Sequence, residues 1–131
     1  MAKRKWFTLT ELIIVIAIIG ILAAVLVPSL SGYIARTKKS AVEQEAKAIS
    51  TIYEAWLIDP DENVEGKDFT DEEEATTVFA TYYTSIGNAG LPAGLTITVD
   101  TSNRPIGFKY EENGYIATYT NGGTLDVNEK P

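Results

Sequence analysis

From Leu12 to Val27 the chain holds no polar side chain, and Phe7 to Leu9 and Leu30 to Ile34 extend the apolar character on either side. The run alone is a little short of the roughly 20 residues a membrane-spanning helix needs, but with its flanks it is long enough. Ile, Leu, Val and Ala go all the way round such a helix, so it has no polar face to turn to water. Lys3, Arg4 and Lys5 precede it, which by the positive-inside tendency keeps the N-terminus cytoplasmic and places the remainder outside; Arg36, Lys38 and Lys39 on the far side oppose that bias.

The rest of the chain is polar and acidic, for the net charge is −7 in spite of the basic start. An acidic body argues against nucleic acid as a partner. The 131 residues include no Cys and no His, which removes disulfides, thiol nucleophiles, imidazole acid–base chemistry and the usual zinc ligand sets. No enzyme activity, metal or cofactor is expected. Glu111 and Glu112 are paired carboxylates, yet neighbours in a strand face opposite sides.

Glu11 is the residue that needs explaining. An ionised carboxylate in hydrocarbon costs about 3 kcal/mol or more, so acids at the edge of a spanning helix usually have a partner. A plain single-pass anchor gives no reason for it. A secretory signal would have a shorter apolar region, about 7–15 residues, and a small-residue cleavage site.

The stretch Phe7 to Pro28, FTLTELIIVIAIIGILAAVLVP, resembles the N-terminal segment of the type IV pilin and pseudopilin family. The resemblance rests on Phe7, Glu11, Gly20 and Pro28 in their order and spacing. It implies that a membrane prepilin peptidase cuts between Trp6 and Phe7, removing a leader of residues 1–6, and that the new Phe7 amine is methylated. It further implies that Glu11 pairs with the Phe7 amine of its own or a neighbouring subunit as the apolar helices pack into a filament core. Removing one partner of such a pair typically costs about 3–5 kcal/mol. In the family pattern Gly precedes the Phe, whereas Trp6 stands here.

Beyond Pro28, the spacing of Ala41, Ala48, Ile49, Ile52, Ala55 and Trp56 predicts an amphipathic helix. Asp59-Pro60 should end it, since the residue before proline is pushed out of the helical region. The expectation is one long helix over residues 7–57, with a transmembrane or filament-core half at about 7–30 and a globular head over 58–131. Gly20 and Pro28 weaken the helix interior by about 1 and about 3 kcal/mol against Ala, which predicts a kink at Pro28. The resemblance adds that the segment between them loosens on assembly.

From Asp59 to Glu74 the chain is acidic. Asp59, Asp61 and Asn63 begin like a calcium loop, but Val64 stands where the turn glycine belongs and Thr70 where the bidentate glutamate belongs, so a solvated loop is expected. Thr70 and Glu73 suggest a capping box for a short helix bearing Val78, Phe79, Tyr82, Tyr83 and Ile86. Leu95, Ile97 and Val99, then Ile106, Phe108 and Tyr110, alternate as half-buried strands do, and Asn113-Gly114 is a hairpin signal. The fold class expected is α+β: a long N-terminal helix whose second half packs on an antiparallel meander of three or four strands, with Tyr110, Tyr115 and Tyr119 in core and cross-strand pairs. Many pilins close this region with a disulfide; without cysteine, packing must suffice.

The resemblance implies a structural subunit that forms a helical homopolymer, a type IV pilus, with itself, the peptidase, an inner-membrane assembly platform and, before assembly, membrane lipid as partners. It would be a single-pass membrane precursor first and an extracellular filament afterwards. A pseudopilin of a type II secretion or competence system, or an unprocessed anchor, would share the same N-terminal features.

Overall fold

A computed structural model describes residues 6–131; Lys3, Arg4 and Lys5 of the expected leader lie outside the described residues. The first element, α1, runs from Leu9 to Ile58 and includes Pro28. It stops one residue before Asp59-Pro60, where the proline was expected to stop it. The chain divides into two compact units between Thr37 and Lys38.

In the first unit every described side chain is exposed, including Leu12, Ile16, Ile19 and Leu26. The helix is long and apolar enough to cross a membrane. Pro28 has no N–H to offer the Ala24 carbonyl. Just beyond it, Ser29 Oγ and Ser31 Oγ donate to the carbonyls of Val25 and Val27, at 3.4 and 3.1 Å.

The second unit adds α2, Glu72–Ser85, and four strands: β1 Leu95–Val99, β2 Pro105–Glu112, β3 Tyr115–Thr120 and β4 Thr124–Glu129. The strands pair antiparallel in the order β1-β2-β3-β4, the expected meander. Asn113 and Gly114, at φ 54° and 81°, turn β2 into β3, a left-handed pair of conformations that Asn and Gly adopt most readily. At Gly107 the strands approach so closely that a Cβ would lie 1.9 Å from the Tyr119 carbonyl oxygen.

The face of α1 that becomes core is Val42, Ala46, Ile49, Tyr53 and Trp56. This corrects the expected face. Ile49 and Trp56 are buried and Ile52 half-buried, but Ala41, Ala48 and Ala55 are exposed. Tyr53 belongs to this face although the expected spacing did not include it. Its ring meets Trp56, Phe79, Phe108 and Tyr119 at centroid distances of 5.9, 6.0, 5.6 and 5.9 Å. Its hydroxyl donates to Asn121 Oδ1 at 2.8 Å, and Asn121 Nδ2 in turn donates to the Pro105 carbonyl at 3.1 Å. Trp56 is fully buried, and its indole N–H has no acceptor among the described residues.

Tyr110 and Tyr119 are core residues as expected, and Tyr115 packs half-buried against them. The Tyr110 hydroxyl donates to Glu112 at 2.5 Å and that of Tyr119 to Glu54 of α1. Burial, reinforced by Glu54, pushes the Tyr119 hydroxyl up to about 12, and burial likewise raises Tyr53 and Tyr110. Ile106 departs from its expected burial and is 40% exposed. The register shifts between Thr98 and Val99, so that Pro105 stands opposite Val99 and is the buried residue at that end of β2.

The capping box of α2 lies one residue later than expected. Asp71 is the N-cap, its side chain accepting from the Glu74 N–H at 2.8 Å. Glu74 reaches back to the N–H and hydroxyl of Thr70, both at 2.7 Å, and these bonds hold its carboxyl below the usual range. Ile86 caps α2 at its other end and is exposed. In the acidic loop, Val64 and Phe69 are buried anchors while most of the carboxylates face solvent.

Candidate assembly interface

Trp6 and Phe7 are exposed and precede the first turn of α1. Thr8 is the residue that starts the helix. Its hydroxyl accepts the Glu11 N–H at 3.2 Å, and its own N–H donates to Glu11 Oε2 at 3.0 Å. Its carbonyl accepts from the Leu12 N–H at 3.2 Å. This reciprocal arrangement is a capping box, in which side chains satisfy two of the amides that a helix start leaves open.

The box gives Glu11 a local reason to exist. The carboxylate accepts a charge-assisted bond and lies at the positive end of the helix macrodipole, where an anion is stabilised. It also fixes a direction. Glu11 reaches back to the amide of Thr8, the residue after Phe7, so the carboxylate is held at the edge of the helix where a new amine would form if the chain were cut before Phe7. The family resemblance implies only the Phe7 amine as a partner for Glu11, and the bonds to Thr8 come in addition. The signal was present as Thr8-Leu9-Thr10-Glu11 ahead of an apolar run.

Gly20 and Pro28 sit within α1, apart from this cap. A Cβ added at Gly20 would meet nothing within 4 Å, so no contact within this chain requires a glycine there. The helix continues through both residues. Arg36, Lys38 and Lys39 are exposed beyond the apolar stretch.

This end of the molecule joins an exposed apolar helix surface to one carboxylate held at the helix start. A family described as a prokaryotic N-terminal methylation motif matches residues 2–27. The chain is 35% identical over 127 residues to a type IV major fimbrial protein FimA of Dichelobacter nodosus, covering 88% of this chain and 71% of that protein. It is 40% identical over 103 residues to the type IV major alpha-pilin of Moraxella bovis, covering 79% of this chain and 57% of that protein. A fimbrial protein of Pseudomonas aeruginosa is 44% identical over 64 residues, 49% of this chain and 42% of that protein. No solved structure matches the chain.

Proposed function

The chain belongs to the type IV pilin family, and from that premise we propose that it polymerises through its N-terminal helix into a surface filament after a prepilin peptidase has cut between Trp6 and Phe7. The precursor waits in the membrane, where lipid covers the apolar half of α1. Cleavage and methylation make Phe7 the new terminus, and its amine is the cation that Glu11 takes up on an adjoining copy. The assembly platform draws the helices out of lipid and into a core made of other copies of the same helix. Loosening between Gly20 and Pro28 lets that core form and stretch, since proline removes a helical hydrogen bond and glycine gives up more backbone freedom than other residues when held in a helix. The head is what the filament displays.

The observation that most supports this reading is the carboxylate of Glu11, turned to the start of a helix whose described apolar half is exposed. Glu11→Ala tests it. The variant should insert in the membrane and keep a folded head, while filaments counted by electron microscopy fall at least tenfold, the scale set by losing one partner of a poorly solvated pair. Native filament numbers would remove Glu11 from assembly.

A further inference from the structure

Between Glu11 and Glu43 the sequence has no carboxylate, and the cations in that interval, Arg36, Lys38 and Lys39, all come after the apolar run. They are exposed, and none of them makes an ion pair among the described residues. Tyr33, just ahead of Arg36, is 68% exposed. Basic residues on the far side of a spanning helix oppose the usual charge bias, so orientation gives no reason for them.

We propose that Arg36, with Lys38 and Lys39 beside it in sequence, binds the headgroups of anionic phospholipids in the outer leaflet while the chain spans the membrane. The inference rests on the reading of the chain as a membrane precursor. A hydrocarbon layer roughly 30 Å thick takes about 20 helical residues. Counted from Leu12, just past the Glu11 carboxylate, an upright helix leaves that layer near Ser31. Tyr33 then stands about 3 Å and Arg36 about 7 Å further out, across a headgroup layer that is itself roughly 5–7 Å deep. Tyrosine favours that layer, and an arginine stem can lay its guanidinium back against phosphate oxygens.

Charge decides the occupant. Basic residues beside a membrane are drawn to anionic rather than to zwitterionic lipid, and a guanidinium can hold a phosphate through two N–H groups. A second copy standing at the same depth would bring the same cations level with these, and no carboxylate comes before Glu43 to pair with them. Such a copy repels where an anionic headgroup is attracted. The lipid contact thus fixes the depth at which the precursor waits.

The chain has no cysteine, so Ile34→Cys accepts a single fluorophore next to these cations. The labelled full chain is placed in phosphatidylcholine bilayers that contain the same small share of either brominated phosphatidylglycerol or brominated phosphatidylcholine, and quenching reports which lipid gathers at that site. The anionic lipid should be enriched about fivefold or more at low salt, the scale of one basic residue at an anionic surface, and the enrichment should fall in high salt. Arg36→Gln with Lys38→Gln and Lys39→Gln should abolish it. Equal quenching by the two lipids in the otherwise native chain, or a preference that survives the three substitutions, would overturn the lipid contact and leave the pilin reading intact. A fluorophore at Leu22→Cys that neither lipid quenches would show that the apolar half does not enter the bilayer, overturning the membrane reading and this inference with it.

Discussion

α1 is one continuous helix, yet before Ala41 its described side chains are exposed, whereas Val42, Ala46, Ile49, Tyr53 and Trp56 are buried completely or nearly so. Helical hydrogen bonding is common to both stretches, so it cannot account for the difference. Distribution of apolar groups does. The second stretch gathers them at alternating spacings of four and three, a stripe that a sheet and a short helix can cover. The first has them on all sides, which no packing against a single face could hide; it needs surroundings that are apolar in every direction, such as lipid or a bundle of its own copies. Folding of the head and assembly of the helix are thus separable problems within one chain.

That separation is most open to attack in the core. Trp56→Ala in the full chain, held in detergent, should cost about 3–5 kcal/mol of head stability by denaturant unfolding, whereas Leu22→Ala in the exposed stretch should change it by under about 0.5 kcal/mol. Equal effects would show that the two stretches do not act separately. Asn121→Ala should come next, at about 1–3 kcal/mol, because it strands the buried Tyr53 hydroxyl. Tyr53→Phe removes the hydroxyl as well and should cost less.

Thr8→Ala sharpens the comparison from the other end. Loss of the cap should cost about 0.5–2 kcal/mol locally. Faster amide exchange is expected at Leu9 to Leu12, with no change in head unfolding. Alkaline titration gives the smallest effect near neutrality. Tyr119 ionises near 10 when unfolded and near 12 when folded, so the unfolded chain releases its proton first as pH rises. The stabilisation from its protonated form is full below pH 10, declines above that and is lost by the time the pH passes 12. Tyrosinate absorbance that rose in the folded protein as it does in the unfolded chain would contradict the burial of these rings.

What could be read from sequence depended on how far away the deciding partner lies. The apolar run, the stop at Asp59-Pro60 and the Asn113-Gly114 turn are set by near neighbours, and all three were legible. The core face of α1 was legible only in part, at Ile49, Ile52 and Trp56. Alanine fits either surface, so the sevenfold spacing of Ala41, Ala48 and Ala55 mimicked a buried stripe. Tyr53 was missed because its hydroxyl finds its acceptor in Asn121, 68 residues away. The cap of α2 slipped by one residue because Asp71, Glu72, Glu73 and Glu74 offer several equivalent choices. At the assembly end, Phe7 and Glu11 were recognised through a family pattern, while Thr8 is visible only when Glu11 is considered as part of a helix start.

The measurement that bears most directly on the division between an assembling helix and a displayed head is the intact mass, with terminal fragmentation, of protein sheared from the cell surface and of the pool left in the membranes. The expected sheared species begins at methylated Phe7, with the amine that Glu11 needs. Finding only a membrane pool that still begins at Met1 would contradict it, for the apolar half of α1 would then have lipid as its lasting partner and Trp6 as the reason.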